Sequence, residues 1–73
     1  MSEKGKHVVS RPRGWAVVTA GKSRAGKVFE TQDAAVRYAR DAAKRVHGEL
    51  YVHRKDGTIQ ERRSYENESA PPG

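Results

Sequence analysis

Cysteine is absent from this chain of 73 residues, which excludes disulfide stapling and thiolate metal sites. No apolar run approaches the ~20 residues that a membrane-spanning helix requires. The N-terminus lacks the apolar stretch of a secretory signal, so the cytoplasm is the expected location and no membrane partner is expected. Size is also in short supply. A chain this short buries only about 60% of the surface its unfolded form exposes, so the core must be small and stability marginal unless something adds to it.

Three histidines, His7, His47 and His53, are the remaining soft ligands, and no two of them show close ligand spacing. His47 marks a helix end and His53 an exposed strand face. Neither a structural zinc nor a small-molecule cofactor is expected. Chemistry-naming motifs are missing as well. The segment Gly21–Lys22–Ser23 is only a fragment of a phosphate-loop signature, because the upstream glycines and an immediately following helix are not there.

What the chain has is positive charge. Fifteen Lys and Arg stand against nine Asp and Glu, a formal charge of +6. A field of that sign attracts polyanions and makes nucleic acid the first partner to consider. A plainly solvated surface is the competing reading.

The pattern along the chain reads as one α+β domain over residues 7–65, between a flexible leader (1–6) and a disordered, proline-ended tail (66–73). Residues 7–10 are β-branched and suit a strand. Pro12 and Gly14 then stand where a turn wants them, and residues 15–20 return to complete a hairpin over 7–20. Residues 21–26 form a flexible cationic connection, and 27–30 suit a third short strand anchored by Phe29.

Thr31 is suited to cap a helix, with Asp33 in its first turn. Ala34 stands where a capping box would need Glu or Gln. Over residues 32–47, Ala35, Ala39, Ala42 and Val46 form an apolar stripe at helical spacing, flanked by Tyr38 on one side and by Val36 and Ala43 on the other. Small residues there let a helix lie close to a sheet. Gly48 is expected in the C′ position. The opposite arc carries Arg37, Arg40, Asp41, Lys44 and Arg45, with Asp33–Arg37, Arg37–Asp41 and Asp41–Arg45 spaced for ion pairs.

A last hairpin turns at Asp56–Gly57, whose residue types tolerate the positive φ of a tight turn. Leu50, Val52 and Ile59 should face the helix. Tyr51 and His53 then point away from it, alongside Thr58, Gln60 and Arg62. The fold expected is a small antiparallel sheet of four or five strands with one helix on one face, in the order β-β-(β)-α-β-β.

These features together resemble a family of short, uncharacterised bacterial domains, DUF2188. The resemblance covers about residues 7–65. It rests on His7–Val8–Val9 before a turn, Gly14–Trp15–Ala16–Val17, Ser23–Arg24–Ala25, and Thr31 opening an Ala/Arg helix. It continues through Gly48–Glu49–Leu50, Val52–His53, Asp56–Gly57–Thr58–Ile59 and Glu61–Arg62. The likeness implies an antiparallel sheet with one helix packed on it, and it implies no activity. Family members tend to carry Glu at the third helical position, where Ala34 stands here.

Catalysis is the least supported class. General acid–base work wants two ionisable groups in a cleft, and Glu49, Asp56, Glu61 and His53 all fall at element ends or on exposed faces. A backbone-led nucleic-acid interface has two candidate surfaces. One is the helix ridge of Arg37, Arg40 and Lys44, helped by Arg11, Arg13, Lys22 and Arg24 in the loops. The other is the open sheet face, where Tyr51 would stack on a base while His53 and Arg62 meet phosphate or base edges. Aromatic RNA-binding strands and a helix-turn-helix pair are both missing, so recognition would be weakly sequence-selective. The rival reading is a protein-interaction or homodimerisation module on that open face, with Val8 or Val9, Ala16 or Val18, and Tyr51 as its apolar members.

Overall fold

The computed structural model describes residues 5–20 and 26–66. Five strands and one helix follow in the order β1 (Gly5–Arg11), β2 (Gly14–Thr19), β3 (Lys27–Phe29), α1 (Gln32–Arg45), β4 (Glu49–His53) and β5 (Ile59–Ser64). The α+β class, with one helix against one sheet, matches the sequence reading. The leader does not extend to residue 6, because Gly5 and Lys6 already belong to β1. Gly5 accepts a hydrogen bond from the Ala20 N–H at 2.8 Å, and the Lys6 Nζ donates to Thr19 Oγ1 at 3.2 Å. Calls on the rest of the leader, on the 21–25 part of the connection and on tail residues 67–73 lie outside the described residues.

The strand order is β3-β2-β1-β4-β5. The sheet is mixed rather than wholly antiparallel, since β1 and β4 run parallel with His7 beside Tyr51 and Val8 beside Val52. This follows from the connection between them. Two short antiparallel strands and then α1 carry the chain across one face before β4 docks on the free side of β1. The β-branched run of Val8 and Val9 thereby becomes the centre of the sheet.

The core lies between α1 and the sheet and comprises Val8, Val17, Ala35, Ala39, Ala43, Leu50, Val52 and Tyr65, with Trp15, Phe29 and Val36 packed against it. Helix residues there are alanines, and the largest fully buried side chains, Leu50, Val8 and Val52, come from strands. The small helical residues do let the helix lie close to the sheet. The buried line on the helix differs, however. Ala35, Ala39 and Ala43 are buried, a strict four-residue ridge, whereas Val46 is 39% exposed and Tyr38 43% exposed. Val46 is already the C-cap, with non-helical φ −104°, so it leaves the stripe. Tyr38 instead leans on Phe29, ring centroids 5.3 Å apart, with Lys27 Nζ 5.4 Å from the tyrosine centroid.

Thr31 caps the helix as expected, accepting from the Ala34 N–H at 3.1 Å. At the other end it is His47, not Gly48, that adopts a left-handed conformation, φ 54°. The His47 N–H donates to the Lys44 carbonyl at 3.2 Å and the Gly48 N–H to the Ala43 carbonyl at 2.8 Å. This is a Schellman motif begun one residue early. Of the three spaced charge pairs expected on α1, Asp33–Arg37 closes, at 3.7 Å, between exposed groups worth little to stability.

Two glycines are required by geometry. Gly14 leaves the first turn at φ 141°, and a Cβ on it would run into the Phe29 carbonyl oxygen. Gly57 has φ 95° and is the one positive-φ residue of the second turn, contrary to the tight two-residue turn expected. The Gly57 N–H donates to the Arg54 carbonyl at 2.9 Å and the Arg54 N–H to the Thr58 carbonyl at 2.7 Å, so three residues make the turn. Asp56 Oδ1 accepts from the Thr58 N–H at 3.0 Å and from its hydroxyl at 2.7 Å. Those bonds hold the exposed Asp56 carboxyl below its ordinary 3.8, the backbone bond most of all.

The extra turn residue shifts the ladder. Val52 opposes Glu61, but His53 opposes Ile59, with the irregularity between Val52 and His53. A bulge of this kind reverses the face on which following side chains stand. Ile59 is therefore 51% exposed instead of facing the helix. Gln60, expected on the far face, takes a hydrogen bond from Gln32 Nε2 at 3.2 Å at the start of α1.

Candidate functional site

The nine residues singled out from sequence divide by sheet face. Arg37, Arg40 and Lys44 stand exposed on α1, on the helix-covered side. Tyr51, His53 and Arg62 lie on the open side. Arg13 sits in the β1–β2 turn, and Lys22 and Arg24 fall outside the described residues.

Alternation along β5 adds one cation to the helix ridge. Leu50 is buried toward α1 and opposes Arg63, so Arg63 reaches the helix side of the edge strand. Arg40, Lys44, Arg63 and Tyr65 line one cleft of about 360 Å³. The Tyr65 body is buried in the core, while Lys44 Nζ rides 5.7 Å from its ring centroid. Arg63 Nε is also held by Glu61 Oε2 at 3.0 Å. That bond sets a carboxylate directly beside one of the three cations of the cleft. Arg40 and Lys44 repel one another at one-turn spacing, and Arg63 adds a third cation whose charge the paired Glu61 partly offsets. Sequence periodicity identified the first two. Arg63 and Tyr65 were missed, although their two-residue spacing at the end of β5 carries the signal.

On the open side, three rings form a ladder. His7 on β1 stacks on Tyr51 of β4, centroids 4.7 Å apart and planes 16° apart. His7 also stacks with His53 at 5.3 Å, and its Nδ1 lies 3.0 Å from His53 Nε2. From the far side of β4, the Arg62 guanidinium lies 5.8 Å from the Tyr51 centroid. The Tyr51 hydroxyl donates to Glu49 Oε1 at 3.1 Å. A base would have to displace His7 or Arg62 to stack on Tyr51, so the ladder offers ring edges, not faces.

Burial, and then the nearby His53, hold His7 below the ordinary 6.5. Both effects disfavour the charged imidazole. His7 was passed over in the sequence because 46 residues separate it from His53, and only the parallel β1–β4 pairing brings them together.

Beside the ladder lies an apolar patch. Val9 pairs with Ala16, which pairs with Val28, and Val28 is 54% exposed. Arg11, Pro12, Arg13, Ala16 and Val28 line a shallow groove of about 480 Å³. Among the described residues, no helix is long and apolar enough to cross a membrane.

Fold and surfaces define a small open-sheet α+β domain with one cationic helix. The chain belongs to the family described as an uncharacterised protein conserved in bacteria (DUF2188), whose model matches residues 6–65. It is similar to the uncharacterised protein YdaT of Bacillus subtilis (strain 168), 32% identical over 60 residues. That match covers 82% of this chain and 40% of the relative, so the chain matches well under half of that protein. No solved structure matches it.

Proposed function

We propose that the protein is a non-catalytic binding module that holds a nucleic-acid backbone in the cleft between α1 and β5. The observation that carries this reading is the convergence of Arg40, Lys44 and Arg63 on one cleft beside Tyr65. Cations on a rigid helix and a rigid strand suit phosphates, which need positive charge and donors but no base-specific geometry. The formal charge of +6 adds long-range attraction. Among the described residues, neither an acid–base pair nor a nucleophile with its base accompanies these groups in the cleft.

Titration of the chain with short duplex and single-stranded oligonucleotides at low salt tests this by NMR. Amide shifts should centre on Arg40, Lys44, Arg63 and Tyr65. Three phosphate contacts would give a log–log salt slope of about −3 on duplex, and somewhat less on a single strand. Arg40→Glu combined with Lys44→Glu should abolish the shifts. No shift with either oligonucleotide at low salt would refute the reading.

A second reading, self-association through the open face, is favoured by Val28 and Ile59, each more than half exposed. It predicts a dimer almost indifferent to salt and disrupted by Val18→Asp or Val28→Asp. Sedimentation that stays monomeric up to millimolar protein would exclude it.

A further inference from the structure

We infer that the protein pairs with a second copy of itself along the outer edge of β5, antiparallel and centred on Arg62, so that two sheets join into one. The two edges of the sheet differ. β3 is three residues long, which gives another strand little to hold. β5 runs for six residues, all exposed, and among the described residues no strand lies beyond it. α1 packs over β1, β2, β3 and β4, so β5 projects past the helix.

The ladder with β4 fixes which backbone groups are left over. The Tyr65 N–H donates to the Gly48 carbonyl at 2.8 Å, and the same register sets Leu50 against Arg63 and Val52 against Glu61. Hydrogen-bonded and non-hydrogen-bonded pairs alternate along an antiparallel ladder. Glu61 and Arg63 therefore turn their backbone groups in toward β4, while Arg62 and Ser64 turn theirs out. An added strand bonds to Arg62 and Ser64.

Charge then selects the register. A twofold axis at Arg62 joins the two Arg62 backbones by a pair of hydrogen bonds and sets Ser64 opposite Gln60 on either side. Glu61 then faces Arg63 of the second copy, twice, on the helix side of the joined sheet. Opposite charges in facing positions favour pairing and like charges oppose it. Moving the axis by one residue sets Glu61 against Glu61, or Arg63 against Arg63. The two Arg62 side chains do stand opposite one another on the open side. Each guanidinium, however, leans back over the Tyr51 ring of β4, 5.8 Å from its centroid, and so away from the axis.

In the joined sheet both helices lie on the same side. Arg40, Lys44 and Arg63 line a cleft in each copy, and the two clefts meet across the paired β5 strands as one trough. This consequence rests on the nucleic-acid reading above: the doubled site holds a longer stretch of backbone than one cleft admits.

The test is sedimentation equilibrium and isotope-filtered NMR of the chain alone, without oligonucleotide, between micromolar and millimolar protein. The expected result is a monomer–dimer equilibrium with intermolecular contacts between the α-protons of Glu61 and Arg63, which approach closely in a non-hydrogen-bonded pair. Glu61→Arg or Arg63→Glu alone should weaken dimerisation by about tenfold, and the two together should restore it. Arg62→Pro removes an outward N–H at an edge position where proline is tolerated, and should abolish the dimer. Should that variant fail to fold, the charge exchange decides. Val18→Asp, on the open face, should leave the dimer unchanged. A chain that stays monomeric at millimolar concentration overturns the inference, as does a dimer lost in Val18→Asp or indifferent to both single charge changes. The phosphate cleft is judged separately by its own titration. A dimer in which oligonucleotide shifts no amide sinks the nucleic-acid reading alone, and a monomer that binds oligonucleotide sinks the pairing alone.

Discussion

The two faces of the sheet hold similar residue types and use them in opposite ways. On the covered face, Val8, Val17, Leu50 and Val52 meet a ridge of three alanines, and small helical residues let strand side chains fill the gap. On the open face, Val9, Val18 and Val28 have no second layer, and the middle is taken by standing rings and a guanidinium. Strand parity alone decides which neighbour goes where. Leu50 and Tyr51 are adjacent in sequence, yet one anchors the core and the other a polar ladder. A face covered by a helix gains stability from area removed from water. A face left open gains it from side-chain pairs along the ladder, which are worth less and remain available to a ligand.

That contrast is most directly broken by truncating the neighbours. Leu50→Ala should cost about 2–5 kcal/mol in denaturant unfolding. Gly14→Ala follows at roughly 1–3 kcal/mol, because the new methyl meets the Phe29 carbonyl in a positive-φ backbone. Tyr51→Ala should cost only about 1 kcal/mol, the scale of a ring pair. If Tyr51→Ala proved as costly as Leu50→Ala, the open face would be a second core and the distinction would fail.

Away from both faces, His47→Gly should raise stability by about 0.5–1 kcal/mol, since it relieves a left-handed residue at modest entropic cost. A melting temperature unchanged or lowered would contradict the Schellman assignment. The smallest expected effect concerns Asp56. Its carboxyl titrates below the ordinary 3.8 in the folded state, so the folded chain holds fewer protons than the unfolded one at acid pH. The stability it lends is present above that ordinary value and is lost as pH falls through the folded one. The stability difference between the parent chain and Asp56→Ala should therefore shrink in acid, a trend read from unfolding curves between neutral pH and strong acid.

Much of the fold was legible because local rules spoke clearly. Thr31 caps the helix it was expected to cap, Pro12–Arg13 makes its turn, and Leu50 with Val52 alternates into the core. Errors arose where a one-residue displacement has no local signature. Asp56–Gly57 fits a two-residue or a three-residue turn equally well, and the choice of three moved Ile59 to the open face and Gln60 to the helix start. The C-cap erred in the same way, because Gly48 and His47 both tolerate a left-handed conformation. For the candidate sites, helical periodicity was enough to pair Arg40 with Lys44. Arg63 joined them only once β5 was docked beside β4, and His7 reached His53 only through the parallel strand pairing.

By itself the amino-acid sequence determined the element types, the apolar side of α1 and the excess of positive charge, because propensity, periodicity and composition act over a few residues. Tertiary structure decided the strand order, the register after the second turn, and the two meeting places of Arg40 with Arg63 and of His7 with His53. Those depend on which edges pair over long separations, and pairing energy is summed across whole strands that no short window contains.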